Sequence, residues 1–175
     1  MKKNIIVAAL AAVAAMSSAS AFAVDGQINF TGEIIDSACE VVNNVSAPLN
    51  VELGKVAKTA FSGAGDTASA TKFTLQLKNC PVSVTGAAVK FEGAAAAGDN
   101  SVLALTQGAG VATGVGIQLS DASATALQLN TASATYPLVS TGVNNLDFVA
   151  RYIATETEVG VGQANAVASF TINYN

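Results

Sequence analysis

Two cysteines, Cys39 and Cys80, are the residues best suited to chemistry in this sequence. In an oxidising compartment an even pair reads first as a disulfide. A metal site would need further ligands, and the chain contains no histidine. A free reactive thiol is the other alternative, and the disulfide is preferred. The missing histidine also removes both the Ser-His-Asp and the Cys-His arrangements. Arg151, the only arginine, could clamp an anion, but its place between Ala150 and Tyr152 on an alternating run fits a solvated strand face better. Glu156 and Glu158 fall on one side of an extended chain. Paired carboxylates do glycosidase work when held across a cleft, whereas a stripe of them on an edge simply discourages unwanted pairing. Gly108, Gly110, Gly114 and Gly116 miss the dinucleotide spacing and open no helix. Asn44-Val45-Ser46 matches a glycosylation acceptor by pattern alone. No catalytic residue, metal or cofactor is expected.

The start of the chain supplies the oxidising context. Lys2 and Lys3 precede an apolar run over residues 5–15, and Ala21-Phe22-Ala23 forms an A-x-A cleavage site. The run is shorter than the roughly 20 residues a spanning helix needs. Residues 1–23 therefore read as a signal peptide, with the exported chain beginning at Val24. A chain of this length fits one domain with a sizeable core. Asp and Glu number 12 against eight Lys and Arg, and removing Lys2 and Lys3 widens that gap. The balance offers no basic footprint for nucleic acid and disfavours anionic lipid. No direct membrane insertion is expected.

The elements that must position the cysteines are strands. Period-2 alternation recurs along the chain, and helical periodicity hardly appears beyond the signal peptide. Ile28, Phe30, Gly32 and Ile34 alternate with polar residues, as do Leu49, Val51 and Leu53. Phe73, Leu75 and Leu77 run straight into Cys80. Val115-Ile117-Leu119, Leu127-Leu129, Leu146-Phe148-Ala150-Tyr152 and Phe170-Ile172-Tyr174 follow. Small and polar clusters at 62–69, 93–101 and 108–114 separate them as turns and loops. The alanines at 94–97 suit at most a short helical turn between Gly93 and Gly98. Many short strands with one apolar face predict an all-β, two-sheet antiparallel sandwich. The bridge then ties neighbouring strands near one end. It is not the antibody arrangement, since there is no Trp to pack on it.

Domain ends are ordinarily frayed and polar, yet both ends of the exported chain are alternating runs with large apolar side chains. Pairing of each within its own domain is the simple account. The sequence, however, resembles the chaperone–usher fimbrial pilins, and the type 1-like major subunits in particular, along essentially its whole exported length. The run from Gly26 through Ile28, Phe30, Gly32 and Ile34 to Cys39 resembles their donor-strand extension. Val51 to Val56 with Phe61, and Phe73 to Cys80, resemble further family stretches. The family's penultimate aromatic and its glycine fourteenth from the end correspond to Tyr174 and Gly162.

The resemblance implies an incomplete immunoglobulin-like sandwich lacking its final strand, completed by a donor strand from a neighbouring subunit or a chaperone. Residues 24–35 would be the N-terminal donor-strand extension and 36–175 the pilin domain. Ile28, Phe30 and Ile34 would enter the neighbour's groove, with Gly32 where a Cβ would clash; a plain bulge or turn glycine is the alternative at that position. Gly162 would mark the start of the last strand. Phe170, Ile172 and Tyr174 would line the acceptor edge and meet the chaperone, and Phe170 and Ile172 are equally readable as ordinary core. The implied partners are copies of the chain itself, other fimbrial subunits, a periplasmic chaperone and an outer-membrane usher. The implied destination, reached through the periplasm, is a fimbrium on the bacterial surface. The function expected is a structural subunit polymerising by strand exchange. A minor or adaptor subunit is the alternative within the family. A carbohydrate-binding adhesin fits less well, for want of a lectin domain and of Trp.

Overall fold

The computed structural model describes residues 26–175 other than Glu33 and Asp36. The expected signal peptide and the first exported residues lie outside that range. Two compact units are distinguished, one ending at Ile34 and the other running Ile35–Asn175. In the first, the described residues form no regular element.

Among the described residues the second unit is built from nine strands: β1 (Glu40–Val41), β2 (Thr67–Lys78), β3 (Gly86–Glu92), β4 (Ala95–Ala96), β5 (Asp99–Leu103), β6 (Val115–Asp121), β7 (Tyr136–Pro137), β8 (Val143–Ala154) and β9 (Ser169–Tyr174). A 3-10 turn spans Lys58–Ala60. One sheet has the order β1-β2-β8-β6-β5-β4, and the other β7-β3-β9, with every strand pair antiparallel. The two faces that meet are the ones the alternation predicts. In β8 the even-numbered residues from Asn144 to Ala154 are buried and their odd-numbered neighbours are not. Phe148, fully buried, lies at the centre, with its ring 5.0 Å from that of Phe91 and 5.7 Å from that of Phe73. Edge-to-face and stacked aromatic pairs of this kind add about 0.5–1.5 kcal/mol beyond their burial.

Cys39 and Cys80 are joined in a disulfide closing a separation of 41 residues. In the chain-entropy account a loop of that size removes about 4 kcal/mol of unfolded-state freedom. The bond lies where β1 and β2 pair, just outside Glu40↔Lys78.

Four local expectations are corrected. Residues 49–53 form no ladder: Val51 and Leu53 pack on the core, but the carbonyls of Glu52 and Leu53 accept from the hydroxyls of Thr71 and Ser69. Those donors lie at a register shift in β2 between Ala68 and Thr71, with Ser69 at φ 58°, so side chains replace the main-chain partners there. Residues 127–129 do not make a strand either. Leu129 is buried, but Asn130 follows it at φ 62° and breaks the extended run. The stretch 93–101, read as loop with at most a helical turn, holds β4 and the start of β5. Ala97 and Gly98, at φ 50° and 79°, turn between them, and successive positive φ values are what a tight hairpin demands. Finally, β3 was not anticipated. Its Gly86-Ala87-Ala88-Val89 run is buried on both faces, so it shows no alternation to read.

Candidate functional site

Among the described residues β9 is the longest strand at a sheet edge, and it pairs with β3 alone. Asn175 and Gly86 exchange both main-chain bonds, Asn175 N–H to Gly86 C=O at 2.9 Å and Gly86 N–H to Asn175 C=O at 3.2 Å. In an antiparallel ladder such pairs alternate with pairs whose main-chain groups face away. The register Ala88↔Asn173 and Lys90↔Thr171 continues the bonded set. Phe170, Ile172 and Tyr174 thus direct their N–H and C=O groups off the sheet, while their side chains turn inward and pack, half-buried, on the core. A row of unpaired donors and acceptors over apolar side chains is a template for another strand.

The alternation continues upstream of β9. Ala164, Ala166 and Ala168 are half-buried and pack on the core, and Asn165 and Val167 between them are exposed. This segment is fixed by Tyr152, whose hydroxyl donates to the Ala164 carbonyl at 3.1 Å, and by the Thr106 N–H, which donates to the Asn165 carbonyl at 2.8 Å. Facing it across the gap are Val56 and Phe61 of an irregular segment, which with Val51 and Leu53 is half-buried on the core. At one end the two walls enclose a cavity of about 590 Å³ lined by Val56, Phe61, Tyr152, Val161, Gly162 and Ala164. At the other end the Tyr174 hydroxyl reaches the carbonyl of Cys39 at 3.4 Å. The site is therefore a groove between the two sheets, open along the β9 edge, with large side chains near Tyr174 and small ones toward Gly162.

Each expected residue can be placed. Phe170, Ile172 and Tyr174 share the inward face of β9. Gly162 borders the cavity but does not begin the strand, which starts at Ser169. Its requirement for glycine comes from a close backbone approach. A Cβ there would meet the backbone nitrogen of Ala112, the carbonyl carbon of Val111 and the carbonyl oxygen of Gly110. Main chain packs on main chain at this point, and Gln163 N–H donates to the Gly110 carbonyl at 2.8 Å. Ile28, Phe30 and Ile34 are 78%, 90% and 98% exposed, and a Cβ on Gly32 would meet nothing within 4 Å.

The wall formed by Val56 and Phe61 and the alanines of 164–168 are the parts that sequence reasoning did not assign. The alanines keep period 2 with Phe170, so the run was readable as one long edge. Their small side chains gave it little weight.

Phenols stand at both ends of the groove. Tyr174 and Tyr152, which border it, have their phenol pKa values pushed up by burial, in Tyr152 aided by the negative charge of Glu52. Both stay neutral donors at physiological pH. Among the described residues there is no cluster of three metal-ligating side chains, and no helix is long and apolar enough to cross a membrane.

Known proteins resemble this chain in sequence and in fold. The fimbrial protein family profile matches residues 28–175. Long polar fimbria protein A of Salmonella typhimurium is 39% identical over 178 residues, covering 99% of this chain and 97% of its own. A solved type I fimbria protein and antigen of Burkholderia pseudomallei is 41% identical, with a TM-score of 0.61 over 85% of this chain and 97% of that one. The rod subunit of the P pilus, at 21% identity, shares the fold with a TM-score of 0.65, over 79% of this chain and 100% of its own. The all-β, immunoglobulin-like pilin architecture expected from the sequence is the one observed.

Proposed function

The chain belongs to the fimbrial protein family, and on that premise we propose that it is a structural shaft subunit, polymerised by strand exchange into a fimbrium on the bacterial surface. The observation that carries this reading is the outward row of main-chain groups at Phe170, Ile172 and Tyr174 above a core left open beside them. The N-terminal extension of a second copy supplies what is missing. Ile28, Phe30 and Ile34 have the period of a strand with one apolar face, and all three are in water. Burying each contributes about 1.5–3 kcal/mol, with generic main-chain bonding added along the edge. Gly32 falls in phase with them, and its missing Cβ leaves the donor backbone free to approach the groove floor.

Before assembly an exposed edge of this kind invites aggregation. A periplasmic chaperone lending a strand to the same groove, and an outer-membrane usher where the subunit strand replaces it, meet that hazard. The chain contains no histidine, so neither a Ser-His-Asp nor a Cys-His arrangement accompanies the structural role. The reading is tested by Phe30→Asp. The variant should accumulate as a chaperone-bound subunit and form no fibre, and wild-type fibres from it would sink the assignment.

A further inference from the structure

Around the disulfide, three valines stand in water: Val82 is 85% exposed, Val139 57% and Val143 52%. Single exposed valines need no explanation, but these three are fixed about one point. The buried Asn144 binds Val139 twice, accepting its N–H at 2.8 Å and donating to its carbonyl at 2.9 Å. The same amide nitrogen lies 3.4 Å from the Cys80 sulfur. Val143 adjoins Asn144 in β8 and stands opposite Lys78, and Val82 follows Cys80 closely in the chain. The nearest charges cancel, because Lys78 pairs with Glu40 at 2.9 Å. The result is a neutral apolar rim held in place by a buried amide.

This rim is where the chain enters its compact unit, since Cys39 is bonded to Cys80. An extension lying in another copy's groove must therefore bring its own rim against that copy. Symmetry selects the end it meets. An extension leaving the groove beside Tyr174 would set rim on rim, and such an isologous contact lets two copies exchange strands and close. An extension leaving at the Gly162 end sets unlike surfaces together, and that contact repeats without closing. A fibre needs the second arrangement, in which the donor runs antiparallel to β9. At that end stands Val161, 80% exposed on the cavity's border.

We propose that Val82, Val139 and Val143 form a docking rim for a second copy of this chain, seated on the Val161 end of its groove. The inference rests on the polymerisation proposed above, and it adds a contact that strand exchange alone does not require. The test uses full-length chains and a synthetic peptide of residues 24–36. Val139→Glu and Val143→Glu should bind the peptide as the unaltered chain does, yet yield several-fold less surface fibre. Combining Val139→Glu with Val161→Lys should recover fibre, and combining it with Val161→Glu should not. Should the glutamates impair folding, Val139→Thr, close to isosteric, should lower the fibre's thermal dissociation point with peptide binding intact. Unchanged fibre from peptide-binding variants, or equal yields from the two charge pairings, would overturn the rim. A peptide that fails to bind the unaltered chain would overturn the groove reading, and the rim with it.

Discussion

The hydroxyl of Tyr174 donates to the carbonyl oxygen of Cys39 across 3.4 Å, linking the last strand to the residue just before β1 of the opposite sheet. That contact closes one end of a groove whose length is otherwise unpaired. Its hydrogen bond contributes about 0.5–1.5 kcal/mol, while the ring contributes by burial. Tyr174→Phe should therefore form fibres at close to the normal level, and Tyr174→Ser should not. Quantifying sheared fibre from the two variants separates the roles, and equal yields would remove Tyr174 from the groove wall.

Gly32→Asp distinguishes folding from assembly. In this structure a Cβ on Gly32 meets nothing within 4 Å, so the isolated chain should fold with unaltered stability. The constraint arises only on insertion, where an added carboxylate would be buried without a partner. Normal chaperone-bound subunit with no fibre is the expected result. Wild-type fibre would show that Gly32 is a plain turn glycine.

Gly162→Ala should do the reverse. The added Cβ meets backbone atoms of Gly110, Val111 and Ala112, none of which can rotate away. Overpacking of this kind costs about 1–3 kcal/mol, or roughly 2–4 °C of melting temperature for each kcal/mol in a chain of this size. Thermal unfolding of purified subunit measures it, and an unshifted transition would place the tight contact elsewhere.

The contrast between these two glycines shows how far the sequence carried. Strands with one buried face, such as Leu146 to Tyr152, announce themselves by period 2, and the apolar face of Phe170, Ile172 and Tyr174 was legible for the same reason. Gly86 to Val89 was not, because burial on both faces erases alternation. The groove's second wall was also hidden. Val51 and Leu53 alternate like a strand, but whether a neighbouring strand pairs with them depends on the β2 irregularity at Ser69, which no local pattern reveals. Gly162 is legible as a glycine whose backbone tolerates no side chain, but it does not begin the last strand. The cause is a contact with Gly110 to Ala112, distant in sequence.

Alkaline pH should destabilise the subunit. The phenols of Tyr136, Tyr152 and Tyr174 are all held above their ordinary pKa by burial, and nearby Asp121 and Asp147 add to the effect at Tyr136. Above about pH 10 the unfolded chain releases these protons while the folded chain retains them. The unfolded state then binds fewer protons, and stability falls as pH rises. Urea midpoints at pH 8 and pH 11 should show the loss. Tyr152→Phe, with one such group fewer, should show a shallower decline, and an equal or steeper decline would exclude Tyr152 as a contributor.

The central claim, that the open β9 edge is filled by another copy's extension, is tested most directly on intact fibres. Material sheared from cells expressing the chain is run on a denaturing gel, unheated and after boiling in acid. Strand-exchanged contacts dissociate slowly, so high-mass species should persist in the unheated lane and collapse on boiling to one band at the subunit mass. Monomer in both lanes, or no subunit in the sheared fraction, would contradict the account.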